Sequence, residues 1–224
     1  ERAMVRAMSQ DPIAFLKEQF PALHAKGFAL LEEKAAAGSA LAQTMLANAK
    51  PVIGQAKLDF TGAGTVYVAS REGQVEVSDD EIAGIDIKIV AEIPAEAAEL
   101  VLGQAMSENA LEDERFLMGL TQVASAELEQ ALAGREMTCD ITIADEPELG
   151  DVVVRLGFNV RELPANPQFT ARIEYDDLEQ VREGKVNAQQ LFMGGKLRMT
   201  GDYSIAMQIA MQLAMKAQQA AARG

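Results

Sequence analysis

Between Thr138 and Thr200, four segments alternate apolar and polar side chains with a period of two. That alternation constrains the fold more tightly than any other feature of the chain. Cys139, Ile141 and Ile143 alternate with Thr138, Asp140 and Thr142, and Val152, Val154, Leu156, Phe158 and Val160 do the same in the next segment. Phe169, Ala171, Ile173 and Tyr175 follow, then Leu197 and Met199. Successive side chains of a strand point to opposite faces, so each segment presents one apolar and one polar face. Together they specify a sheet that is covered on one side and wet on the other, and helices of the same chain are the natural cover.

Upstream the pattern is helical first and then strand-like. Ser9 or Asp11 caps a run in which Ile13, Leu16 and Phe20 recur at helical spacing, and Pro12 suits a first-turn position. Pro21 is expected to break or kink that run, Gly27 and Gly38 are candidate breaks, and a last helical stretch ends before Pro51. From Lys57 the period changes: Leu58 and Phe60 alternate with polar residues, 65–69 and 74–77 read as strands, and 85–93 is a half-buried strand followed by a short helix, 95–102. A helix is expected over 107–134, capped by Ser107 and ended by Gly134. The expected organisation is a helical N-terminal region at 1–56, a strand-rich segment at 57–106 and an α/β domain at 107–224. Strand 85–93 and its helix echo strand 168–175 and the helix after it, in order but with little identity, as in a degenerate tandem.

The final helix is unusual. Ile205, Ile209 and Leu213 form one row, Ala206, Ala210 and Ala214 the next, and Met207, Met211 and Met215 a third, which leaves Ser204, Gln208, Gln212 and Lys216 as the polar row. A surface helix needs only one apolar stripe. Leaving three methionines wet forgoes on the order of 5 kcal/mol of burial. A bound lipid, another subunit or the N-terminal region are the three things that can cover the surplus, beside ordinary core packing. Methionine's flexibility suits any of them.

The segment leading into that helix carries the most specific signal. Asp177-Leu178, Gly184, Phe192, Gly195-Lys196-Leu197 and Gly201-Asp202 stand in order before it. Gly194-Gly195 permits a tight turn, and Asp202 can cap the helix and complement its dipole. This arrangement resembles the sterol-carrier-protein type 2 (SCP2) sterol-binding family over roughly 138–224. The resemblance implies an SCP2-like α/β (α+β) fold, a mixed sheet covered by helices on one face, here with an extra helical N-terminal region. It also implies non-catalytic binding of a sterol, fatty acid, acyl-CoA or isoprenoid in an apolar cavity. Strand parity and helix rows then nominate Phe158, Ile173, Phe192, Leu197, Met199, Met207 and Met211 as ligand-facing.

Charge and composition narrow the alternatives. The net charge of −14 repels phosphate backbones and disfavours residence on anionic bilayers, so neither nucleic acid nor stable membrane insertion is expected. It also weighs against transfer by collision with anionic membranes, and leaves room for a second role as an accessory subunit, in a homo-oligomer or with a protein partner. One cysteine and one histidine exclude an intrachain disulfide and a Cys/His zinc site, and a reducing, cytoplasmic setting fits. Cys139 falls on an apolar strand face, as a buried inert thiol does. His24 is expected to be a surface or packing residue. Gly62-Ala63-Gly64 lacks the third glycine and following helix of a nucleotide loop, and the acidic clusters fit no calcium loop. No catalytic constellation, metal site or cofactor is expected. No stretch is long enough to span a bilayer and no signal peptide is visible, although the sequence begins at Glu1.

Overall fold

The computed structural model describes residues 11–221 apart from 104, 108, 113, 123 and 124. The Ser9 cap expected from the sequence lies outside them. The chain divides into two compact units, one comprising residues 1–86 and 93–126, the other 87–92 and 127–224.

In the first unit, helix α1 (Pro12–Glu18) starts where Asp11 accepts hydrogen bonds from the Ile13 and Ala14 backbone, with Pro12 in its first turn. The chain breaks at Gln19 rather than at Pro21, because Pro21 occupies the first turn of α2 (Phe20–Ala36), where its missing N–H costs nothing. Gly27 does not break α2 either. A Cβ there would stand 2.8 Å from a Leu120 methyl, so the glycine allows close packing against α5 (Glu114–Gln122). Helix α3 (Ala40–Ala49) completes the bundle, and Phe28, Leu31, Met45, Leu46 and Leu117 form its core. Strands β1 (Gly54–Thr61), β2 (Gly64–Arg71) and β3 (Gln74–Ser78) form an antiparallel meander in the order β3-β2-β1. Buried Gln55 fastens the following loop, its side chain bonding Ile82 and Ile85.

His24 sits in α2, 5% exposed, its ring stacked on Phe28 at 4.5 Å and edge-on to Phe20 at 5.9 Å. Its Nδ1 has no hydrogen-bond partner. Burial pushes its pKa down to about 4, because the apolar surroundings penalise the imidazolium.

Strand β4 (Ile87–Pro94) leads into a 3-10 turn (Ala95–Ala97) and α4 (Ala98–Leu102). The helix expected over 107–134 is instead, among the described residues, a 3-10 turn (Ala110–Glu112), α5, and α6 (Ala126–Leu132).

The second unit holds residues 87–92 of β4 with β5 (Met137–Glu146), β6 (Gly150–Phe158), β7 (Phe169–Glu174) and β8 (Arg198–Gly201). Their order is β4-β6-β5-β7-β8, with β5 and β7 parallel and the other neighbours antiparallel, so the sheet is mixed. Helices α7 (Tyr175–Arg182) and α8 (Ala188–Met193) connect β7 to β8, and α9 (Ser204–Ala221) follows. The two faces are as different as the alternation requires. On the polar face Arg155 bridges Glu92 (3.1 Å) and Asp140 (3.3 Å) across three adjacent strands, and Arg172 bonds Asp151 (2.7 Å). That bond holds the Asp151 carboxyl below its usual range. The apolar face carries the unit's core.

Candidate functional site: an incompletely closed apolar face

Cross-strand register places Leu156, Cys139 and Phe169 side by side, and beside them Val154, Ile141, Ala171 and Met199. Facing them are Ala131 and Leu132 of α6 and Ile209 of α9, which are buried together with Met137, Cys139, Phe169 and Ala171. Ile141, Leu156, Phe158, Leu197, Met199 and Ile205 pack against the same core but remain only partly buried. Strand parity places Ile141, Leu156, Phe158 and Met199 on the apolar face, yet the protein's described side chains leave all six partly exposed. The apolar face is thus incompletely covered beside the first turns of α9.

The charges around it are structural. Arg135 follows α6; its guanidinium donates to Leu132 and Ala131 carbonyls at 3.0 and 2.9 Å and to Gln208 of α9 at 2.8 Å. It closes the orphan carbonyls of one helix and fixes the other to it. Asp202 accepts from the Ser204 backbone and hydroxyl at the start of α9, and those bonds hold its carboxyl below the usual range. Asp177, 7% exposed, accepts from Lys196 at 2.7 Å and Gln180 at 3.2 Å. The Asp177 and Lys196 positions of the sequence motif are therefore two ends of one ion pair joining α7 to the loop before β8. Replacing Lys196 with methionine leaves the buried carboxylate without its cation, and the expected loss is about 2 kcal/mol. A lower urea midpoint checks this, with recovery in Lys196→Arg.

The Cys139 thiol is not poised as a nucleophile. Cys139 lies 4% exposed among its apolar neighbours, and burial, with Asp140 adding to it, raises its thiol to about 11. Among the described residues no cluster of His, Cys, Asp and Glu could hold a metal ion, and no helix is long and apolar enough to cross a membrane.

Of the residues nominated from sequence, Phe158, Leu197 and Met199 pack, partly buried, against this core. Ile173 shares the apolar face of β7 but is buried. Phe192 stacks edge-on against Tyr203 at 6.2 Å and is partly buried. Met207 is partly buried, whereas Met211 is 61% exposed, because the Ile205/Ile209 side of α9 is the one turned to the core. Parity alone identified Ile141 and Leu156 as inward-facing, but nothing in the alternation marked them as incompletely covered.

The family model described as "SCP-2 sterol transfer family" matches residues 119–218. No curated protein matches. Among solved structures, the chain is similar to the sterol carrier protein domain 2 of Helicoverpa armigera. The identity is 20%, the match covers 56% of this chain and 91% of that one, and the TM-score is 0.30. It is also similar to the apo form of sterol carrier protein 2 from Yarrowia lipolytica, with 20% identity, 38% and 70% coverage and a TM-score of 0.25. A stereoselective inverting sec-alkylsulfatase from Pseudomonas sp. matches with 15% identity, 51% and 23% coverage and a TM-score of 0.25. The resemblance read from the motif between Asp177 and Asp202 is thus shown for residues 119–218, the region matched by the SCP-2 sterol transfer family model.

Proposed function

We propose that the second unit binds an apolar, lipid-like ligand in a cleft between its sheet and α9, without covalent chemistry. The observation that carries this reading is the set of inward-facing but partly exposed side chains, Ile141, Leu156, Phe158, Leu197, Met199 and Ile205. A folded domain gains about 25 cal/mol for each Å² of apolar surface it removes from water. An apolar face left partly open forgoes that gain until a ligand supplies the missing contacts. Of the other nominated residues, Ile173 is buried on the same face of β7, Phe192 contacts Tyr203, which packs against this core, and Met211 stands on the exposed side of α9. The family match supports the same reading.

Leu156→Glu puts a carboxylate on the cleft floor. It is expected to weaken displacement of an apolar dye such as Nile red by lipid at least tenfold, while far-ultraviolet circular dichroism is retained. A smaller probe of the same point, Met199→Gln, is expected to weaken binding about threefold or more. Unchanged binding in both variants would contradict the assignment.

A second reading is favoured by one observation: Met193 at 79% and Met211 at 61% exposure are large apolar side chains facing solvent. Under it, the same unit assembles with a second copy or a protein partner through α8 and α9. Sedimentation at rising concentration separates the readings, because Met193→Glu/Met211→Glu disrupts association only if assembly uses this surface.

A further inference from the structure

We infer that the cleft selects uncharged lipids and rejects ligands whose buried end carries a carboxylate or phosphate. This rests on the proposed lipid-binding role and specifies its substrate class.

The apolar side chains of β5, β6, β7 and β8 that form the floor carry no charge and no hydrogen-bond donor stronger than the Cys139 thiol. An anion buried there needs a cation or a cluster of free N–H groups to offset its lost hydration. The cations described in this unit do not offer one. Arg135, the one nearest α6 and α9, spends Nε, Nη1 and Nη2 on two carbonyls and Gln208. Lys196 is committed to Asp177 at 2.7 Å. Arg155 and Arg172 are paired on the polar face, and Arg198 is in register with Arg172 on that face. Lys88 alternates with Ile89, the partner of Phe158, so it too points to the polar side. Arg161 belongs to the segment that crosses that face, where the Pro164 carbonyl accepts from Arg155. Arg182 and Lys185 are paired with Glu179 and Glu183 at the end of α7.

The start of α9 is the other feature able to attract an anion. Asp202 already places a carboxylate there, bonded to the Ser204 backbone and hydroxyl. A second anion would meet that charge. Net charge of −14 adds a repulsive field of the same sign. A neutral ligand, an alcohol or an ester with a long apolar body, meets none of these costs.

The test compares two ligands of equal chain length, dodecanol and dodecanoate, as competitors of Nile red on the full chain at pH 8. Dodecanol is expected to displace the dye at a concentration at least tenfold lower, and the gap is expected to shrink as the pH falls and dodecanoate protonates. Dodecanoate binding as tightly as dodecanol, or more tightly, overturns the inference while leaving the cleft as a lipid site. Failure of both, and of the dye, overturns the lipid-binding reading itself and this inference with it.

Discussion

Gly201→Ala is expected to destabilise the second unit by about 3 kcal/mol, whereas Gly195→Ala, six residues earlier, costs about 1 kcal/mol. Both glycines have positive φ, +98° and +70°. They differ in what a Cβ would meet. At Gly195 nothing lies within 4 Å, so alanine incurs only the backbone penalty. At Gly201 the Cβ would stand 2.5 Å from the Gln168 carbonyl oxygen and 3.0 Å from the Phe169 Cα. Both atoms are backbone, so no rotamer change relieves the contact. The chain must shift β8 from β7, and with it the bond from the Asp202 N–H to the same carbonyl, 2.8 Å long. Urea midpoints, with hydrogen exchange at β7 and β8 amides as the local readout, measure the difference. Equal losses at the two positions would show that the strands give way easily there.

His24 is expected to make the first unit sensitive to acid by about 3 kcal/mol. Its pKa falls from 6.5 in the unfolded chain to about 4 in the fold, because burial between Phe20 and Phe28 penalises the charged ring. The folded state therefore holds the imidazole neutral while the unfolded state takes up a proton first. The contribution is fully present above pH 6.5 and is lost progressively as the pH falls to about 4, at about 1.4 kcal/mol per unit. His24→Phe keeps the aromatic row and removes the titration. Subtracting its stability curve from the parent's isolates the histidine from the carboxylates that titrate nearby. Because the chain has a single histidine, its ring resonances report the titration directly. A midpoint near 6, or an unchanged acid slope in His24→Phe, would contradict this.

The strands were legible because period-two alternation reports a sheet that has one buried face. The inward positions Cys139, Phe169 and Ala171 are buried together in the second unit, and Val154 is buried as well, as parity requires. The breaks in helices were less legible. Pro21 and Gly27 both look like terminators in isolation, but one occupies a first turn and the other a close helix contact, and only tertiary packing distinguishes these uses. The helix expected over 107–134 failed for the related reason that a continuous apolar period does not reveal where separate short helices turn. Met211 shows the limit for the candidate site. Four i, i+4 rows identify what shares a side of α9, but only the structure shows that Ile209 turns to the sheet while Met211 stands exposed. The Asp177–Lys196 pair was visible as two motif positions, yet nothing in their nineteen-residue spacing announced a contact.

The most direct test of the account is native mass spectrometry of the purified full chain, followed by organic extraction and identification of what is released. A stoichiometric adduct that is apolar and uncharged is expected, or its uptake when dodecanol or a sterol is supplied to the empty protein. A monomer that carries nothing and takes up none of the neutral or charged lipids offered to it would contradict the central claim.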